Sequence, residues 1–153
     1  MGIFSKPKSS KQTPSEETVR SVITKFQGWL NAYEPMEING VTHQLKDLES
    51  FVEFLVRQSV VNEDELLLQW VSKVCVAMDK STITESTPET LAQLVFDCTS
   101  VSMTLRKKYA NIPEIVQALT VLGVASIKVC EKFPIYREAL EYMRLNADKL
   151  SGK

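Results

Sequence analysis

Hydrophobic residues recur along this chain at helical spacing, and in one stretch they abandon the one-sided pattern. From Ile112 to Cys130, IPEIVQALTVLGVASIKVC places Ile115, Val116, Ala118, Leu119, Val121, Leu122, Val124, Ala125, Ile127 and Val129 around the full circumference of a helix. A helix that is apolar on all sides is either the centre of a bundle or a membrane span. A span wants about 20 nearly uninterrupted apolar residues, and here Pro113, Glu114, Gln117 and Lys128 break the run. The stretch 112–132 is therefore expected to be a buried fifth helix with the others wrapped around it.

The other segments carry single apolar faces. Thr13-Pro14-Ser15-Glu16 reads as a helix start, with Thr13 as N-cap and Pro14 at the first helical position. Val19, Val22, Ile23, Phe26, Leu30 and Tyr33 follow on one face at 3.6 spacing. Pro35 disfavours helical geometry at Glu34, so this helix should end near Ala32. Asn39-Gly40, set between short β-forming flanks, signals a type I′ turn or a minimal hairpin between the first two helices.

From about Leu45 the helical period returns with Leu48, Val52, Leu55, Val56 and Ser59. Asn62, with Glu65 three residues later, predicts the cap of a third helix facing inward through Leu66, Leu67, Trp70, Val71, Val74, Cys75 and Met78. Residues 79–87 read as a Ser/Thr-rich loop. Thr87-Pro88 opens a fourth helix with Leu91, Leu94, Val95, Cys98, Val101, Leu105 and Tyr109 inward. Asn111 with Glu114 predicts the cap of the fifth. Pro134 opens a sixth that buries Ile135, Ala139, Tyr142, Met143 and Leu150. The expected fold is all-α: a compact bundle of about six helices, one domain over 13–150, after a basic arm of residues 1–12.

Composition narrows the class of protein without naming a reaction. A chain of 153 residues supports one core, and 44% hydrophobic with 24% charged residues is the balance of a soluble globular domain. The formal net charge of -1 offers no overall field to gather nucleic acid. Cys75, Cys98 and Cys130 are odd in number and widely spaced, so they form neither a disulfide framework nor a zinc pattern. They read as reduced core residues of a cytoplasmic protein. The start MGIFSKPKSSK lacks the apolar run of a signal peptide. His43 beside the Asn-Gly turn reads as a solvated loop histidine, and no nucleophile, phosphate-loop or metal motif occurs. The expectation is a protein that is not an enzyme and carries neither cofactor nor metal.

The candidate chemistry sits at the N-terminus and at the helix ends. Gly2 after Met1 is the acceptor type for N-myristoylation, although the usual Ser or Thr at position 6 is Lys6 here and the serine falls at Ser5. Ile3 and Phe4 are apolar, and Lys6, Lys8 and Lys11 follow with no acidic residue before Glu16. A lysine near an anionic leaflet contributes about 1 kcal/mol, and a myristoyl chain alone binds marginally. Together they would make the two signals that stable anchoring needs. A second basic set comprises Arg106, Lys107 and Lys108 at the end of the fourth helix, Lys128 and Lys132 at the end of the fifth, and Arg137 and Arg144 on the sixth. If those ends meet, they form one patch for lipid headgroups or RNA phosphates.

The layout resembles small viral matrix domains in Met1-Gly2, Lys6, Lys8 and Lys11 ahead of a compact helical globule. That resemblance implies a non-enzymatic structural or adaptor protein, peripherally attached at the cytosolic face of a membrane and engaging a protein partner or further copies of itself. The alternatives are a self-assembling helical coat or nucleocapsid subunit that binds RNA phosphates, and a soluble protein–protein interaction module.

Overall fold

The computed structural model describes residues 35–152, together with Glu17, Arg20, Ser21 and Thr24, which are helical and exposed. The arm 1–12 with Gly2, Ile3, Phe4, Lys6, Lys8 and Lys11, the apolar face Val19 to Tyr33, and Trp29 all lie outside the described residues. The chain is mostly helical, with seven helices and one two-stranded hairpin among the described residues.

The hairpin pairs β1 (Met36–Ile38) with β2 (Val41–His43) in antiparallel register, Ile38 opposite Val41. Asn39 at φ 54 and Gly40 at φ 82 make the turn, and two successive positive φ values are what a type I′ turn requires. Period-two alternation turns Met36 and Ile38 into the core and leaves Glu37 exposed. His43 departs from the solvated reading: it is buried, with its ring edge-on to Phe51 at 6.0 Å. The strand carries it inward beside α1, which a turn signal two residues away does not reveal.

Helix α1 (Leu45–Val61) starts where the Gln44 N–H donates to Asp47 Oδ2 at 2.8 Å, and it buries Leu48, Val52, Leu55 and Val56 completely. Asn62 closes this helix instead of opening the next, donating from its side-chain amide to the Gln58 carbonyl at 2.8 Å. Glu63 turns the chain at φ 50. Asp64 is the N-cap of α2 (Glu65–Ala77), accepting from the Leu67 N–H at 3.2 Å. Leu66, expected inward, is exposed, because the α2 face is set by Leu67, Trp70, Val71 and Val74.

The expected loop at 79–87 holds a further short helix, α3 (Lys80–Glu85). Asp79 caps it by accepting from the Ser81 N–H at 3.0 Å, and Ile83 anchors it in the core. Helix α4 (Pro88–Lys108) begins with the reciprocal pair Thr87 and Thr90. Helix α5 (Pro113–Cys130) starts at Ile112 with no side-chain cap, so Asn111 does not play the expected part; Pro113 supplies the preformed first turn instead. The last expected helix divides at Asn146 into α6 (Ile135–Leu145) and α7 (Ala147–Leu150), whose final carbonyl accepts from Gln93 Nε2 at 3.3 Å.

Helix α5 packs against β1, α1, α2 and α4, while α6 packs chiefly on α4. Ile115, Ala118, Leu119, Leu122 and Ala125 are fully buried. Each such leucine or isoleucine contributes about 1.5–3 kcal/mol of transfer free energy. Half of α5 is buried inside the fold, the mark of a core helix. Its circumference is not fully sealed, however. Thr120, Gly123, Val124 and Ile127 are only half-buried, on the flank that faces α4.

Candidate functional site

The α4–α5 hairpin decides which basic residues can act together. Arg106, Lys107 and Lys108 occupy the last turn of α4, where positive charge complements the helix end. The chain reverses over residues 109–112, and Arg106 Nη2 donates to Thr120 Oγ1 of α5 at 2.7 Å. At ~1.5 Å rise per residue, Lys128 lies about 12 Å farther along α5 than Thr120, with Lys132 beyond it. The structure thus places Arg106, Lys107 and Lys108 at one end of the hairpin and Lys128 and Lys132 at the other. Lys128 and Lys132 border a shallow surface shared with Glu37 and Glu131. Arg137 and Arg144 lie exposed on α6, and Arg144 is paired with Glu141 at 2.6 Å. The single basic surface that converging helix ends would have made is divided.

At the α4 end, sequence reading missed a buried polar cluster. Asp64 caps α2 and accepts from the Tyr109 hydroxyl and from Lys108 Nζ, the latter at 2.9 Å. Burial pushes the Asp64 carboxyl up, but the bonds from Tyr109, Lys108 and the Leu67 N–H outweigh it and hold it below its ordinary value. Burial, reinforced by the Asp64 carboxylate, pushes the Tyr109 phenol up to about 12. This cluster fastens the start of α2 to the end of α4, far apart in sequence. Around the same end, Val61 is 74% exposed, Val60 43%, Ile112 39% and Leu66 37%.

The second feature is a cavity of about 260 Å³ between α2, α4 and α5, open to solvent on one side. Trp70, Val74, Val95, Leu119, Val124 and Ile127 supply apolar wall. Trp70 is held by its indole N–H, which donates to the Cys98 carbonyl at 2.9 Å. Gly123 keeps the Trp70 side open, since a Cβ there would come 3.9 Å from the ring. Three of the wall hydroxyls bond back onto their own helices: Thr99 to the Val95 carbonyl, Thr120 to Val116 and Ser126 to Gly123. Among the described residues Arg106 is the one charged residue on the lining.

Cys98 and Cys130 also reach this cavity, and burial pushes their thiols up to about 12 and about 11. A thiol held protonated is a poor nucleophile and metal ligand. Among the described residues no group of His, Cys, Asp or Glu is placed to hold a metal ion. Comparison of the chain with protein-family models, with curated proteins and with solved structures finds no match.

Proposed function

We propose that this chain is a non-enzymatic structural or adaptor protein, attached peripherally to the cytosolic face of a membrane through its N-terminal arm, with the helical domain presented to a protein partner or to further copies of itself. The observation that carries the reading is the bundle end at Val60, Val61, Leu66 and Ile112, where four of the large apolar side chains exposed among the described residues lie on segments joined by the Asp64–Tyr109 bond. Exposed apolar side chains of this kind suit an interaction surface. Glu63, Glu65 and Glu114 stand among them, exposed. That acidity disfavours an anionic lipid surface and suits a protein surface of mixed charge. The membrane role therefore falls to Gly2 as lipid acceptor, with Ile3, Phe4, Lys6, Lys8 and Lys11 at the headgroups.

The test is flotation with anionic liposomes of protein made in eukaryotic cells, with intact mass read on the same sample. Myristoylated wild type should float, and unmodified Gly2→Ala should stay at the bottom of the gradient. Equal flotation of the two proteins would remove the lipid from the reading. The rival, a coat subunit tracking RNA phosphates, draws less support from the geometry. Lys108 is neutralised by Asp64, and Lys128 and Lys132 are distant from Arg106 and Lys107.

A further inference from the structure

We infer that the cavity between α2, α4 and α5 is a binding site for a small single-chain amphiphile with an anionic head, of the medium-chain monocarboxylate class. Three features define the occupant. Three of the wall hydroxyls already donate to carbonyls of their own helices, and among the described residues no buried side-chain polar atom lacks a partner. The lining is mostly apolar, and an apolar body would cover Met103, Val124 and Ile127, the lining side chains left exposed or half-buried, from water.

The head is specified by Arg106. It is exposed, it borders the opening, and its bond to Thr120 Oγ1 is the only hydrogen bond it makes among the described residues. A guanidinium carries five N–H donors in a fixed fork that matches a carboxylate, so most of them remain to meet an anion. Among the described residues no carboxylate borders the cavity to compete for it. Size sets the chain length. A volume of 260 Å³, at ~30 Å³ for each water-sized group, holds about eight or nine methylenes. That is the alkyl chain of nonanoate or decanoate.

Trp70 in the wall supplies the readout. In the full chain carrying Trp29→Phe it is the sole tryptophan, and its emission can be followed while decanoate is titrated below its micelle concentration, alongside 1-decanol and decyltrimethylammonium. Decanoate should give a saturable change, decanol a weaker one, and the cationic amphiphile the weakest. Arg106→Gln, at an exposed position, should weaken decanoate by about tenfold, a loss of about 1.4 kcal/mol, and leave decanol unchanged. Gly123→Leu, which grows a side chain into the cavity, should abolish both responses. Absence of any saturable response to decanoate in the parent protein would overturn the site. Equal affinities for decanoate and decanol, unaltered in Arg106→Gln, would overturn the assignment of the anionic head. Undiminished binding in Gly123→Leu, with cooperative unfolding retained, would show that the amphiphile sits elsewhere and overturn the location.

Discussion

Replacing Asp64 by alanine removes three interactions at once, and the structure says what each contributes. The Leu67 N–H loses its cap acceptor, a change that costs about 1 kcal/mol. The Tyr109 hydroxyl, buried against α2, loses its acceptor; a hydrogen bond to a charged group is worth about 1.5–3 kcal/mol. Lys108, whose side chain is half-exposed, loses a pair that adds less than about 1 kcal/mol because water screens it. These contributions overlap, so Asp64→Ala should destabilise by about 3 kcal/mol, or about 10 °C in Tm for a domain of this size.

Asparagine keeps a good cap and an acceptor for Tyr109 while losing the charge, so Asp64→Asn should cost about half as much. Urea unfolding followed by circular dichroism would read both, with Tyr109→Phe completing a double-mutant cycle. The coupling between Asp64 and Tyr109 should exceed about 1 kcal/mol, and Lys108→Met should change stability by less than about 1 kcal/mol. An Asp64→Ala protein within about 0.5 kcal/mol of wild type, the range of an ordinary surface change, would refute the view that this cluster joins α2 to α4.

The same cluster has a pH signature. Asp64 is lowered in the fold relative to about 3.9 when unfolded, so its contribution is complete above about pH 4 and is lost as pH falls through the folded value. Tyr109 is raised to about 12 from about 10 when unfolded, so its contribution is complete below about pH 10 and is lost as pH rises toward its folded value. Asp64→Asn should flatten the acid limb of the stability profile, and Tyr109→Phe the alkaline one.

Other substitutions test local geometry. Gly123→Ala should stabilise by about 0.5–1 kcal/mol, because it removes backbone freedom inside a helix and its Cβ meets Trp70 at an ordinary 3.9 Å; a lowered urea midpoint would contradict that. Gly40→Ala should destabilise by about 1 kcal/mol at φ 82 even though nothing crowds the position, and an unchanged midpoint would mean the turn is not held in this form. Cys75, Cys98 and Cys130, all buried, should react with an aromatic disulfide reagent only on the timescale of unfolding and rapidly in urea. A fast phase from Cys98 or Cys130 in native protein would instead mean that the cavity admits bulk water as far as those thiols.

Periodicity carried the long helices because each needs only its own segment. Leu48, Val52, Leu55 and Val56 define the inner side of α1 with no knowledge of what they meet. Helix ends are harder. Asn62, Asp64 and Glu65 crowd into four positions, all polar and all suited to a cap. Asn62 took the C-terminal role and Asp64 the N-terminal one only because Tyr109 and Lys108 arrive from α4 to hold the Asp64 carboxylate. Ile83 shows the same limit, since one apolar residue among serines and threonines sets no period, yet its burial holds a helix in place. The cavity depends on more distant relations still. Thr99, Ser102, Thr120 and Gly123 read singly as polar or small positions on two helices. They become the open side of an apolar site only in the register that brings Arg106 to Thr120 and leaves Trp70 without a side chain opposite at position 123. A central helix that is apolar all round can seal every contact except where its partner is also small. In this fold one such place among the described residues is where an arginine stands at the rim.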